Sequence, residues 1–207
     1  HDVSFTFEKN ESYWDADTVK LDKVEWAMID DSNTEYQMYS TGDLDVSGVP
    51  AELADQLKDD PELKNEDQAG LYFFRYNVSM EPFTNKKIRQ AFGMAVDQQE
   101  IVEFVTKNGE KPAEGFVPYG FKGPDGKEFR ETAGKLIQHD AEKAKALLAE
   151  GMKEEGYTEL PQVTLTYSTS DTHKKIAEAL QSKFKEVLGV EVAIQNVAAS
   201  VFASEQK

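Results

Sequence analysis

Three histidines, 39 carboxylates and no thiol bound what this 207-residue chain can do chemically. Metal binding and general-base catalysis need side chains at convergent spacings. His139 is followed by Asp140 and His173 by Lys174, and neither opens a His-x-x-x-His or His-Glu-x-x-His pattern. Each of the three histidines, His1 included, reads as a surface or cap-adjacent residue. The absence of cysteine excludes disulfides, thiol catalysis and thiolate metal sites. There is no Gly-x-Ser-x-Gly elbow and no Gly-x-x-x-x-Gly-Lys-Ser/Thr loop. Asp15, Asp17 and Asp22 miss the calcium-loop register, which needs a glycine at its sixth position. The pairs Asp59-Asp60 and Glu154-Glu155 read as charges at helix ends or turns, not as a positioned acid and base. Binding chemistry remains. Ser168, Thr169, Ser170 and Asp171 follow a strand pattern and precede a helix pattern, where α/β proteins seat ligands. Helix capping is the competing role for the same four residues.

Several elements must position such residues. Val163, Leu165 and Tyr167 alternate as a strand. A long helix follows, capped by Asp171 or Thr172, with Ile176, Ala179, Leu180, Phe184, Val187 and Leu188 inward and Gly189 ending it. Val190, Val192 and Ile194 form the next strand, which completes a βαβ unit. Near the start, Val3, Phe5 and Phe7 alternate, as do Val24, Trp26 and Met28 in a strand over Lys23–Ile29. Ser32-x-x-Glu35 is a capping box for a helix ending near Gly42, and Leu44 and Val46 suggest a short strand. That order predicts a second, parallel βαβ unit. Tyr13 and Trp14 lie in a loop and read as packing anchors. A helix from Pro50 carries Leu53, Ala54 and Leu57, and Pro61 stops it.

The middle of the chain is the most apolar. Leu71 to Tyr76 reads as a strand covered on both faces. Ile88, Ala91, Phe92, Ala95 and Val96 share one helical face. Asp97 and Glu100 resemble a capping box, so a second helix follows and buries Ile101, Val102, Phe104 and Val105. Five glycines and three prolines then fall within residues 107–127. Phe116, Val117, Tyr119 and Phe121 show that this is a pinned loop, either a surface loop or a wall of a ligand cleft. Asp140 caps a further helix reaching about Glu150, with Gly151 ending it. Residues from Val201 onward open a last helix.

A formal charge of −16 argues against nucleic-acid partners and against anionic lipid. There is no apolar run near the ~18 residues that span a bilayer, and no signal peptide. Strand-like alternation directly at residue 3 leads to the expectation of a slice of a longer protein, lacking both ends.

Five motifs carry a resemblance. Phe83-x-x-x-x-Ile88-Arg89-Gln90-Ala91-Phe92-x-x-Ala95-Val96-Asp97 is the longest. Asn10-x-x-Tyr13-Trp14 and Gly42-Asp43-Leu44-Asp45 precede it; Ala141 to Leu148 and His173-Lys174-Lys175-Ile176-Ala177-Glu178 follow. In this order they resemble the extracytoplasmic peptide-binding proteins of ABC importers, the oligopeptide and dipeptide permease type, also called solute-binding protein family 5. The resemblance covers nearly all of the chain.

It implies an α/β, periplasmic-binding-protein-like fold of type II, the peptide-binding class, with two lobes of mixed sheets flanked by helices. Residues 1–76 would belong to the first lobe and 77–207, with the Gly/Pro-rich loop 107–127, to the second. It implies a binder and no enzyme, no cofactor and no metal. Short peptides and the membrane permease subunits are its implied partners, for a monomer held outside the cytoplasmic membrane as a lipoprotein or in the periplasm. By the same resemblance Tyr72, Phe74 and Asn77 face the ligand, with core packing and turn formation as their competing roles. Tyr119 on the loop and Ser168, Ser170 and Asp171 complete the candidates. The acidic partner of the peptide's amino group would lie after the last residue of this chain. Same-fold receptors for nickel chelates or heme, and non-transport sensing or adhesion modules, are the alternative readings. With an incomplete cleft, this chain is expected to bind di- to pentapeptides much more weakly than a whole receptor. Calorimetry checks this, and submicromolar affinity of the chain alone would contradict it.

Overall fold

The structure, a computed structural model, describes residues 3–136 and 138–205. The chain divides into two compact units, residues 1–50 and 51–207.

In the first unit, β1 (Ser4–Glu8) and β2 (Lys23–Ala27) form an antiparallel pair with Phe5 opposite Trp26 and Phe7 opposite Val24. Phe5 and Phe7 lie two apart on one face, with ring centroids 5.8 Å apart, edge to face. α1 (Ser32–Thr41) follows, capped one residue earlier than the sequence suggests: the Thr34 N–H donates to Asp31. Gly42, at φ +84°, ends α1 in the left-handed conformation.

The predicted strand at Leu44 and Val46 is absent, and β2 pairs with β1, not with a parallel neighbour. The backbone there is already committed. The Asp43 and Leu44 N–H groups donate to the Met38 carbonyl, and the Gly48 N–H donates to Glu35. Trp14 is no packing anchor either, being 85% exposed; Tyr13 helps line an open apolar cavity of about 280 Å³ with Phe7, Val19, Leu21 and Val24.

The second unit holds the core. α2 (Ala54–Leu57) is a single turn, shorter than the helix expected from Pro50. α3 (Lys86–Met94) presents Ile88, Ala91 and Phe92, all buried, as its period dictates. Asp97 caps α4 (Gln98–Glu100), which continues as a π-helical turn over Ile101–Thr106. The wider turn resets the inward face. Thr106 is buried, and Phe104, expected inside, is 65% exposed. α5 (Phe129–Ala133) closes the Gly/Pro-rich loop.

α6 (Ala141–Glu155) runs past Gly151 and ends at Gly156. Gly151 was expected to stop it; instead it is buried inside the helix. A Cβ there would stand 2.7 Å from Ile88 Cγ1 and 3.2 Å from the Ile88 nitrogen. α3 and α6 therefore touch through bare backbone. Asn85 closes the joint: its Oδ1 accepts from the Lys87 and Ile88 N–H groups while its Nδ2 donates to Glu154 and Glu155. Lys87 pairs with Glu150 and Glu154, at 2.8 and 2.6 Å. Lys87, and after it Asn85, hold the Glu154 carboxyl below the usual carboxylate range.

β3 (Val163–Ser168), α7 (Asp171–Lys183) and β4 (Val192–Val197) make the expected βαβ unit, with the strands parallel and Ser168 opposite Val197. α7 extends through a π-helical turn, Phe184–Leu188, to Gly189. α8 (Ala199–Glu205) opens where a last helix was expected. Leu71–Tyr76 is not a strand. Its residues make no backbone-to-backbone hydrogen bond among the described residues, and Tyr72 and Phe73 are about half exposed.

Replacing Gly151 by alanine raises helix propensity by about 1 kcal/mol but overpacks the joint, at a cost of about 1–3 kcal/mol. Gly151→Ala should lower the urea midpoint, and Gly151→Val should lower it further. A higher midpoint for the alanine variant would refute the close approach as the constraint.

Candidate functional site

The C-terminal end of β3 and the first turn of α7 form the floor of the candidate site. Ser170, in extended backbone, caps α7 by accepting from the His173 N–H at 3.4 Å. This moves the cap one residue ahead of the expected Asp171 or Thr172. Asp171 occupies the first helical position and is half-buried. Capping fixes the loop, and the loop fixes His173. Ser168 Oγ and His173 Nδ1 lie 2.8 Å apart, with the Ser168 carbonyl 3.3 Å from the same nitrogen. Beside them the Thr169 hydroxyl donates to Asn196 Oδ1 at 3.1 Å, tying the loop to β4.

The aromatic segment covers this floor from the side. The Tyr72 ring lies 5.3 Å from the His173 ring, tilted by 35°, and 5.6 Å from the Phe74 ring, edge to face. Tyr72 is about half exposed, and Phe74 packs on the core cluster. Burial pushes the Tyr72 phenol above its ordinary value of 10, so at neutral pH it is an uncharged donor. At the far end of the segment, the Tyr76 ring lies 4.8 Å from that of Phe83, tilted by 38°, Phe83 meets Phe92 at 5.2 Å, and Phe92 meets Phe184 at 4.8 Å. Phe184 caps the C-terminal end of α7.

Tyr72, Phe74 and Ser168 thus converge, with Ser170 and Asp171 next in the chain. The residue that joins them, His173, was missed as a site residue. Its signal was a ring nitrogen five positions after Ser168 in the first turn of a capped helix. Asn196 was missed too, and no periodicity marks it. Asn77 and Tyr119 interact elsewhere. Asn77 Oδ1 accepts from the Ser79 N–H at 3.1 Å in a tight turn, the competing role weighed for it. Tyr119 is half-buried, with Lys111 Nζ 5.9 Å from its ring centroid.

The assembled groups are an aromatic face, a phenol, hydroxyls, an imidazole and the positive end of a 13-residue helix. They suit carbonyl and carboxylate oxygens. Among the described residues no three His, Cys, Asp or Glu side chains are grouped to hold a metal ion.

This arrangement has relatives. The model of the bacterial extracellular solute-binding proteins, family 5 (middle), matches residues 1–207, and the chain belongs to that family. It is 60% identical over 207 residues to the dipeptide-binding protein DppE of Bacillus subtilis, all of this chain and 38% of that protein. The oligopeptide-binding protein OppA of the same organism is 40% identical over 205 residues, 95% of this chain and 37% of its own. Among solved structures, the pheromone receptor PrgZ superposes with a TM-score of 0.88 at 28% identity, over 99% of this chain and 41% of its own. Peptide-bound OppA of Listeria monocytogenes gives 0.82 at 29%, over 98% and 41%. The fold is therefore the α/β fold of the periplasmic oligopeptide-binding proteins, and the chain spans about two fifths of the proteins it matches.

Tyr76 anchors the segment that carries Tyr72, and burial pushes its phenol up to about 12 from an ordinary 10. The folded state holds that proton more tightly than the unfolded chain does. The stabilisation is complete below pH 10 and is lost as pH rises toward 12, on the order of 2–3 kcal/mol in all. Tyr76→Phe should lack this alkaline loss when unfolding free energies of the two proteins are compared between pH 9 and 12. Parallel decline would show that the phenol is solvated.

Proposed function

We propose that this chain is part of the substrate-binding component of a peptide ABC importer and contributes to a cleft that holds a short peptide in extended form. The observation that carries the reading is the Tyr72–His173–Ser168 cluster beside a segment, residues 71–76, that makes no backbone-to-backbone hydrogen bond among the described residues. An extended peptide can add to such a backbone as a strand, gaining affinity without reading side chains. The phenol, imidazole and helix end then meet its carbonyl or carboxylate oxygens.

In this reading residues 1–76 serve the first lobe and 77–207 the second, with the chain passing between lobes near Tyr76–Pro82. Asn77 and Tyr119 stand on the rim, Tyr119 on the loop that walls the cleft, and Ser170 and Asp171 complete the floor. The protein works as a monomer outside the cytoplasmic membrane, as a lipoprotein or in the periplasm, and delivers peptide to permease subunits. It performs no chemistry on its cargo. The dipeptide- and oligopeptide-binding names of its relatives support this assignment.

Mass spectrometry of small molecules carried by the protein purified from its host tests the reading. Short peptides are expected, with occupancy falling about tenfold in Tyr72→Ala, as for a lost aromatic contact of ~1.4 kcal/mol. A nickel chelate, heme or sugar derivative in place of peptide would overturn it.

A further inference from the structure

Residues 51–69 enter the larger unit without joining its core. Among the described residues none of Leu53, Leu57 and Leu63 belongs to the buried cluster or packs on it. Backbone hydrogen bonds close within the segment. The Gln56 and Leu57 N–H groups donate to the Leu53 carbonyl, Asp60 to Leu57 and Leu63 to Asp60. Among the described residues no backbone bond ties the segment to the rest of the unit. It is strongly acidic, with seven carboxylates against two lysines.

Side-chain charge fastens it. Lys107 Nζ meets Asp55 at 2.7 Å, Lys111 pairs with Asp67, and Lys175 pairs with Glu52. These pairs join positions 52, 44 and 123 residues apart, so each is a tertiary contact. All six charged groups reach solvent. The Asn65 amide adds one uncharged bond, to the Asn108 carbonyl at 3.4 Å. Three of the four contacts land on residues 107–111, where the Gly/Pro-rich loop begins, and the fourth on α7, two residues after His173. Lys107 sits at φ +55°, in the left-handed region where glycine is least strained. A lysine there carries backbone strain, and its ammonium is the group that reaches Asp55. That bond holds the Asp55 carboxyl below its ordinary value.

We propose that residues 51–69 are a strap latched by charge, closed on the Gly/Pro-rich loop and on α7 at low ionic strength and released as ionic strength rises. The screening length falls from about 30 Å at 10 mM salt to about 3 Å at 1 M, so exposed pairs weaken across that range. Apolar burial of Ile88, Ala91 and Phe92 holds the body of the unit together and does not depend on charge. Salt therefore acts on the strap before it acts on the core, and release unfastens the loop at its first five residues.

Hydrogen–deuterium exchange of the whole protein, followed by NMR at about 10 mM and about 1 M sodium chloride, reads the latch through the amides of Gln56, Leu57, Asp60 and Leu63. Exchange there should quicken about eightfold at high salt, from about twofold for each of three exposed pairs, while Ala91 and Phe92 in α3 keep their rates. Lys107→Gly removes one pair and relieves the backbone. It should quicken strap exchange about twofold at low salt and leave α3 unchanged. Joint replacement Lys107→Gln, Lys111→Gln and Lys175→Gln should give the fast rate at low salt and make it indifferent to salt. Strap amides that ignore salt overturn the proposal. So does a quickening shared equally by Ala91 and Phe92, or a triple variant that responds to salt as the unaltered protein does. The unaltered protein decides the matter even where the triple variant does not fold. No ligand enters these readouts, so the latch and the peptide reading fail separately.

Discussion

Everything in the larger unit depends on how closely α3 and α6 approach. Ile88 lies on the backbone of Gly151, with no side chain between them. Packing at that distance gains dispersion contacts that a longer separation forfeits, and it aligns Ile88, Ala91 and Phe92 with Ala144 and Leu148 as one buried cluster. Asn85 makes the same joint polar-tight. One amide caps α3 and also donates to the acidic end of α6. Since that amide serves both helices at once, loss of either contact exposes or orphans the other.

From this joint, rigidity is passed to the candidate site through aromatic rings. Phe92 belongs to α3 and touches Phe184 at the far end of α7, while Phe83 leads from Phe92 to Tyr76. The segment from Tyr76 back to Tyr72 then returns to the near end of α7 through His173. The circuit closes on itself: helix, ring contacts, aromatic segment, helix. Tyr72 is exposed but held at both ends of its segment, and this is how a surface aromatic can present a fixed face to a ligand without ordering cost at the moment of binding.

Where the hydrophobic period was long, the sequence specified the fold. α3 and α7 were readable because their patterns present four or more apolar residues at a single period, and the β3 and β4 patterns present three each, Val163, Leu165 and Tyr167, and Val190, Val192 and Ile194. Two kinds of feature were not. Short patterns failed: Leu44 and Val46 offer two residues, and local hydrogen bonds to Met38 and Glu35 outweigh them. Residues whose role lies in a neighbour were hidden as well. Gly151 looks like a helix stop because glycine usually is one; only Ile88, 63 positions away in sequence, makes it an interior residue. Phe104 has the right phase for an α-helix but the wrong one for the π-helical turn that replaces it. At the site, Ser168 and Ser170 followed from the strand-to-helix junction. His173 became visible only with Tyr72 beside it, a pairing across about a hundred residues that no spacing rule encodes.

Residues 71–76 make no backbone-to-backbone hydrogen bond among the described residues, in contrast to the paired strands β3 and β4. A β-strand normally satisfies its amides in a ladder. This aromatic segment has a strand-like composition but no such ladder among the described residues. Beside this segment stand ring faces, with a hydroxyl and an imidazole on the floor.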